Sequence, residues 1–176
     1  MKKKIIYLLV TFLTISFSII LWKMMSSDKR LMENTAISLR SALEKDNYEI
    51  FVSNLDSESI YKCDSAGFKE TVKYFVFDSF LREIAFPDIE KLEYIGIKTD
   101  KEWGAYFYKL PFDDSYMINS LLYRKSNSEW KYCAVIESEQ LRTASTDSKK
   151  VLMEDPNLKV ETLVDIFQGL KKKYKK

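Results

Sequence analysis

The chain has 176 residues, of which 14% are aromatic, with four glycines, three prolines and a formal net charge of +2. This composition excludes a low-complexity or disordered chain. Nine of the 28 basic residues lie in residues 1–23 and 171–176, which contain no acids, so the part between them has 19 basic against 26 acidic residues. An acidic body excludes a nucleic-acid-binding domain, which would present a basic face.

The first element in the chain is a candidate membrane helix. Three lysines at 2–4 precede an uncharged apolar run at 5–22, which Lys23 ends. As a helix, the run would span about 27 Å, close to the hydrocarbon thickness of a bilayer. It is longer than the apolar region of a cleaved signal peptide, and no small-x-small site follows it. We therefore expect a cytoplasmic basic stub at 1–4, a transmembrane helix at 5–22 and an extracytoplasmic remainder. The alternative is secretion after cleavage.

Residues 28–137 are predicted to form one extracytoplasmic domain whose first part is helical. We predict three helices, each with apolar residues at steps of three and four, at 28–46, 48–55 and 67–85. Asp28 is the expected N-cap of the first helix, and Pro87 stops the third. The polar stretch 56–67 between the second and third helices is predicted to be a loop.

After Pro87 the apolar period changes to two, which is typical of β-strands. We predict four strands, at 92–97, 103–110, 116–124 and 130–136. The short polar turns between successive strands favour an antiparallel meander, so the predicted fold class is α+β. Gly96 and Gly104 lie inside predicted strands and indicate bulges or bends, so we expect a curved sheet.

The C-terminal part is predicted to be a polar linker at 138–156 and an amphipathic basic helix at 157–176. The helix has apolar residues along one face and five lysines among its last six residues. Cations at the end of a helix complement its dipole, which favours a solvated helix end. The other interpretation is a contact of the lysine-rich end with anionic lipid or cell-wall polymer.

The two cysteines, Cys63 and Cys133, are predicted to form a disulfide, because one small domain in an oxidising compartment contains both. The alternative is two independent buried thiols. Two cysteines in a chain without histidine cannot complete a tetrahedral zinc site unless carboxylates help, so no metal is expected.

Two segments are informative about the family. Ala42–Phe51 (ALEKDNYEIF) is a helix end that passes through an acidic turn into a second helix, and Ser128–Val135 (SEWKYCAV) is a polar turn followed by a Trp-Lys-aromatic strand. With helices placed before a curved sheet, residues 28–137 resemble the nuclear-transport-factor-2-like superfamily. The resemblance implies a cone in which a bent sheet wraps around helices. In layout, a domain behind one membrane helix is also similar to the periplasmic domain of type IV secretion assembly factors.

A cone of this kind implies a pocket that aromatic strand residues would line. The candidates are Tyr94, Trp103, Tyr106, Tyr108, Tyr116, Tyr123 and Trp130. The alternative is that these side chains form plain core, as aromatic strand residues usually do.

Some members of the superfamily, such as ketosteroid isomerase, are enzymes that place an Asp or His at the mouth of the cone. This chain has no histidine, so the usual general base near neutral pH is missing. Glu93, Glu102, Asp113 and Asp114 are candidate acids by location alone, and we favour solvated turn or strand-edge positions for each. We therefore expect no catalysis and no cofactor.

The sequence favours a membrane-anchored, extracytoplasmic binding or scaffolding module of an envelope-associated assembly, with protein partners in the cell envelope. The alternative is a small-molecule-binding protein or weak enzyme that uses an apolar pocket in the cone. A filled cone with an exposed apolar patch would favour the first function, and a buried carboxylate in an apolar cavity would favour the second.

Overall fold

The computed structural model describes residues 2–112, 115–137 and 159–174, and most side chains of residues 2–26 lie outside the described part. The helices are α1 (Lys2–Glu44), α2 (Tyr48–Asn54), α3 (Ser65–Phe77), α4 (Ser79–Ala85) and α5 (Val160–Tyr174). The strands are β1 (Glu93–Thr99), β2 (Trp103–Phe112), β3 (Ser115–Ser126) and β4 (Glu129–Glu137). The predicted linker at 138–156 lies outside the described residues, and α5 lies within the predicted C-terminal helix.

The four strands form one antiparallel sheet in the order β1-β2-β3-β4, in which each strand pairs with its neighbour in the chain. The predicted α+β class and antiparallel meander are therefore confirmed. The physical basis is that successive side chains of a strand point to opposite faces of the sheet, so each strand supplies residues to both cores, and that the turns are too short for any crossover.

One helix replaces the two that the sequence predicted before residue 46. Helix α1 is continuous from Lys2 to Glu44, and this stretch contains neither glycine nor proline to interrupt it. Asp28 therefore lies inside a helix and is not an N-cap. Its carboxylate instead accepts a hydrogen bond of 3.0 Å from Nε1 of Trp130, which ties α1 to β4.

The predicted helix at 67–85 is two helices, α3 and α4, separated at Asp78. The backbone of Asp78 is extended, and its carboxylate accepts a hydrogen bond from the N–H of Leu81, which caps α4. Asp64 caps α3 in the same way through the N–H of Gly67. In both places the capping aspartate is followed by a serine, which is a typical sequence at the start of a helix. The continuous spacing of apolar residues hid the helix start at Asp78 from the sequence prediction.

Within the part of the chain whose side chains are described, no helix combines the length and the apolar character needed to cross a membrane. Most side chains of residues 5–22 fall outside that part, so the transmembrane helix stays a prediction.

The sheet has helices on both faces and a separate core on each. We call the face packed by α1, α2 and α4 the inner face, and the face covered by α5 the outer face. The inner core includes Met32, Phe51, Phe86 and the buried tyrosines of the sheet. The outer core brings Leu163 and Phe167 of α5 against β-strand residues such as Phe107.

Two irregularities interrupt the register of the sheet. The pairing of β1 with β2 shifts between Tyr94 and Gly96, which confirms the irregularity predicted at Gly96. The pairing of β3 with β4 shifts between Leu122 and Tyr123, opposite Cys133. Gly104 lies in regular pairing, and its small size serves another purpose, because a Cβ at this position would collide with Cε of Met32. This glycine allows α1 to lie close against β2.

The outer edge of β4 is covered by the chain between α2 and α3. The N–H of Asp56 donates to the carbonyl of Tyr132, and the N–H of Ile60 and the hydroxyl of Ser59 donate to the carbonyl of Cys133. This segment is most of the predicted loop 56–67, whose last three residues belong to α3 because the helix begins at Ser65. It satisfies backbone groups that an open edge strand would leave unpaired.

Candidate functional site

The inner face of the sheet is filled by aromatic side chains. Tyr106, Tyr108, Tyr123 and Tyr132 are each at most 2% exposed and lie in one core cluster with residues of α1, α2 and α4. They alternate along their strands with residues of the outer core, so the period-two pattern brings four phenol rings to the same side. The space in which a cone would hold a ligand is occupied by side chains of the chain itself.

The hydroxyls of three of these tyrosines, Tyr106, Tyr108 and Tyr132, bond to helices. Tyr108 donates to the carbonyl of Ile84 at 3.0 Å and Tyr132 donates to the carbonyl of Ala85 at 2.8 Å, both in the last turn of α4. The carbonyls in the last turn of a helix have no partner within the helix, so these bonds satisfy groups that would otherwise be buried unpaired. Tyr106 donates to the Glu33 carboxylate of α1 at 2.9 Å.

Burial keeps these phenols neutral. It raises the pKa of Tyr123 and of Tyr132 well above the ordinary value, and neighbouring tyrosines act in the same direction. Burial and the hydrogen bond with Glu33 raise the pKa of Tyr106 as well. None of the three can supply a phenolate near neutral pH, which removes them as general bases.

The predicted pocket residues separate into three groups. Tyr106, Tyr108, Tyr123 and Trp130 are buried in the inner core, and half-buried Tyr94 packs at its border. Trp103 lies on the outer face, where its ring meets that of Phe167 at 5.8 Å between centroids. The side chain of Tyr116 lies outside the described part. The described members of the set therefore form core on two sides of the sheet, which is the alternative that the sequence left open.

The two candidate carboxylates that the structure describes, Glu93 and Glu102, do not converge on a cavity. Glu93 pairs with Lys109 at 2.9 Å and Glu102 with Arg124, and both acids are more than half exposed. Asp113 and Asp114 lie outside the described residues. Glu93 and Glu102 thus lie at the surface, in exposed ion pairs of the kind that adds little to stability.

The predicted Cys63–Cys133 disulfide is not formed, and both residues are free thiols. Cys133 belongs to the outer core, whereas Cys63 packs against the inner core. Tyr132 and Cys133 point to opposite faces of β4, so the sheet itself separates the two sulfurs. Burial raises the pKa of both thiols, most strongly for Cys133, and makes each a weak nucleophile. No cluster of potential metal ligands occurs among the described residues.

A polar groove of about 360 Å³ lies between α1, α2 and β4. Its lining residues are Leu31, Asn34, Thr35, Ser38, Ser53, Asn54, Glu129, Trp130 and Lys131. The Thr35 hydroxyl donates to the carbonyl of Trp130 at 2.8 Å, and Nζ of Lys131 donates to the carbonyl of Ser53 at 2.8 Å. These bonds join the three elements, so the polar groups of the groove serve mainly to hold the fold together.

A second, more apolar groove of about 610 Å³ borders α3 and is open to solvent. It is lined by Tyr61, Glu70, Thr71, Lys73, Tyr74 and Phe75. Beside it, at the junction of α3 and α4, Tyr74 is 56%, Val76 69% and Phe80 44% exposed. We call these three residues the α3–α4 patch. Large apolar side chains that stay exposed on neighbouring helices are typical of a protein-binding surface.

The α3–α4 patch was not predicted from the sequence. The buried face of α3 carries Phe68 and Phe75, with half-buried Val72 between them. Tyr74 and Val76 lie to either side of this face when the helix is drawn at 100° per residue. The sequence could therefore have indicated exposed apolar residues on α3, because Tyr74 and Val76 fall outside its buried face.

No family model and no curated protein matches the chain. Among solved structures, the chain is similar to a domain of unknown function with a cystatin-like fold from Nostoc punctiforme. The two share 10% sequence identity with a TM-score of 0.40, over 83% of this chain and 98% of that one.

Proposed function

We propose that this protein is a membrane-anchored, extracytoplasmic binding or scaffolding module that works by contact with another envelope protein and has no catalytic role. The anchor would be the apolar run 5–22, and the lysines at 2–4 would hold its N-terminus in the cytoplasm. Helix α1 continues without a break from this run into the core, where Met32 and Leu39 are buried. Such a helix would attach the body to the membrane without a flexible linker.

The contrast between a filled interior and an exposed apolar surface carries the proposal. The inner face is closed by buried tyrosines whose hydroxyls bind helix carbonyls, as in Tyr108 and Tyr132. Meanwhile the α3–α4 patch leaves large apolar side chains in water. Burying them against a partner would release apolar surface from water, which is the main driving force of protein association.

The position of the α3–α4 patch also suits a partner that approaches from outside the membrane. Arg40 of α1 donates to the carbonyl of Phe86 at 2.9 Å, and Phe86 packs on Phe75 of α3 with 5.3 Å between ring centroids. Along α1, Arg40 lies about 27 Å beyond Trp22, the last residue of the apolar run. The patch would therefore lie well away from the bilayer surface.

The test is photo-crosslinking from the native membrane. A photoreactive amino acid at Val76, in the α3–α4 patch, should give an adduct with a discrete envelope protein that mass spectrometry can identify. The matched control is Thr162, which is exposed on α5. Adducts of equal yield from both positions, or adducts with lipid alone, would contradict a protein-binding surface at α3–α4.

The anchor has its own test. The intact mass of the protein from its host distinguishes a full-length chain from a cleaved one, and fractionation places it in the membrane or elsewhere. We expect the full-length mass in the membrane fraction, with the body open to protease added outside the cell. Full-length chain in the cytosol would refute the anchor.

The alternative function, a small-molecule-binding protein or weak enzyme, would need a chamber on the inner face. The described residues fill that space, and the Glu33 carboxylate that accepts from Tyr106 is paired with Lys29 at 3.0 Å. The geometry therefore favours protein binding over a ligand pocket.

A further inference from the structure

Helix α1 identifies the end of the body that would lie nearest to the proposed anchor. Asp28 bonds to Trp130, and Met32 packs against Gly104. From Trp22, the last residue of the apolar run, these two α1 residues are about 9 and 15 Å further along the helix. The turns at 100–102 and 127–128 are at this end of the sheet. We call it the anchor-side end.

The last turn of α5 lies at the anchor-side end on the outer face. Phe167 packs its ring on Trp103, which is next to Gly104 in β2, and one turn later Nζ of Lys171 pairs with Glu58. Lys172 and Lys173 follow and are exposed. Packing of Phe167 thus fixes where the basic turn of α5 must be.

Among the described residues, exposed cations outnumber exposed acids at the anchor-side end. Arg30 of α1 and Lys101 of the β1–β2 turn are exposed there, as are Lys172 and Lys173. The acids near this end make contacts within the chain: Asp28, Glu33, Glu58, Asp100, Glu102 and Glu129. Because the chain between its basic ends is acidic, this end differs in sign from the body as a whole.

These cations lie just beyond the headgroup layer of a bilayer, within the distance over which charges still interact. Arg30 lies between Asp28 and Met32, about 9–15 Å above the end of the apolar run. Phe167 packs on Trp103, the neighbour of Gly104, which puts the start of the last turn of α5 close to the same level. Headgroups extend about 5–8 Å beyond the hydrocarbon, and charges interact in physiological salt over about 8 Å. The side chains of Lys172 and Lys173 therefore come within the range at which anionic lipid attracts them.

We propose that the basic last turn of α5, together with Arg30 and Lys101, binds the headgroups of anionic phospholipids in the membrane that holds α1. This inference rests on the proposed anchor. The contact would give the body a second attachment on the side opposite α1. With α1 and α5 both fixed, the body could not rotate freely about the anchor, and the α3–α4 patch would keep facing away from the membrane.

A label on α5 reports this contact in the full-length chain. A Cβ at Gly169 meets nothing within 4 Å, so Gly169→Cys offers an exposed attachment point for an environment-sensitive fluorophore. Cys63→Ala removes the partly accessible native thiol, and Cys133 is fully buried. The labelled protein is reconstituted into vesicles of phosphatidylcholine, with and without phosphatidylglycerol. We expect a blue shift of the emission only with phosphatidylglycerol, and its reversal by high salt.

Charge reversal at the two exposed lysines of α5 tests whether they make the lipid contact. Lys172→Glu with Lys173→Glu should abolish the shift, since each lysine near an anionic surface changes affinity about fivefold. Lys69→Glu with Lys73→Glu, on exposed positions of α3, is the matched control and should keep the shift.

Whether the protein floats with the vesicles in a density gradient tests the anchor independently of the headgroup contact. Flotation with both vesicle types but no shift on phosphatidylglycerol would overturn the headgroup contact and leave the anchor standing. Flotation with anionic vesicles alone would support the basic contact and refute the anchor. Flotation with neither would overturn both. An equal shift with soluble polyglycerol phosphate would assign the surface to a cell-wall polymer and overturn the lipid assignment.

Discussion

Met32 of α1 lies so close to Gly104 of β2 that its terminal methyl occupies the space of a side chain at the glycine. Met32 is fully buried, and Trp130 closes the same site from β4, with its ring 3.1 Å from the position that a Cβ on Gly104 would take. The contact is a close approach of α1 to β2 that a side chain at position 104 would prevent. It determines how near the helix that continues toward the N-terminus can lie to the domain.

Gly104→Ala is expected to destabilise the protein. The new methyl has to displace Met32 or Trp130 in a packed core, and overpacking of this kind costs about 1–3 kcal/mol. The measurement is the free energy of unfolding from urea denaturation. Gly169→Ala is the control, because a Cβ there meets nothing, and it should instead stabilise the mid-helix position by about 0.5–1 kcal/mol. Equal effects of the two changes would show that close packing at Gly104 is unimportant.

Tyr132→Phe is expected to lower the free energy of unfolding by about 1–2 kcal/mol, because the buried carbonyl of Ala85 loses its donor. Tyr123→Phe is the matched control. The Tyr123 hydroxyl is buried with no hydrogen-bond partner among the described residues, so its removal should leave stability unchanged or raise it. Thermal and urea unfolding of both variants would decide, and a greater loss for Tyr123→Phe would reverse the assignment.

The two thiols are expected to differ in reactivity. Cys63 is partly exposed, whereas Cys133 is fully buried beneath α5, and burial raises the pKa of both. Alkylation of the native protein should modify Cys63 slowly and Cys133 only after unfolding. Mass spectrometry of peptides from the protein, purified without reductant, measures both sites. A mass two hydrogens lower, with neither site alkylated, would instead establish a disulfide between them.

Stability is expected to fall in alkali. Burial raises the pKa of Cys133, Tyr123 and Tyr132, so the folded state keeps protons that the unfolded chain has already lost. Their contribution is complete below the unfolded values, about 8.5 for a thiol and about 10 for a phenol, and is lost as the pH rises above them.

Variants can show which groups cause the loss of stability in alkali. The free energy of unfolding should decline gently from about pH 8.5 and more steeply above about pH 10. Cys133→Ala should remove most of the first part of the decline, since Cys63 is less buried, and Tyr123→Phe should weaken the second. A free energy of unfolding that stays constant to about pH 11 would mean that these groups do not determine alkaline stability.

Much of the secondary structure followed from the sequence because local patterns encode it. The alternation of apolar residues after Pro87 predicted four strands, and the short turns between them predicted an antiparallel meander. The errors arose where one local signal hid another. Asp78 is a helix cap inside a run with continuous helical periodicity, and Asp28 resembles a cap but lies within a helix that nothing interrupts.

The candidate site was less predictable. The sequence identified the aromatic residues of the strands but could not show that Trp103 faces α5 while Tyr106 faces α1. Likewise, the sequence made a disulfide between Cys63 and Cys133 plausible, but the two residues pack on opposite faces of the sheet. In each case the missing information was which element covers which face.

The sequence by itself determined the types of element, their order and the aromatic character of both sheet faces, because periods of two and of about 3.6 residues are local properties of the chain. Only the tertiary structure decided that the inner face is filled, that the two thiols are apart and that Tyr74 and Val76 stay in water. Burial depends on contacts between distant residues, such as Tyr132 with Ala85 or Met32 with Gly104, and the periodicity of a segment does not contain them.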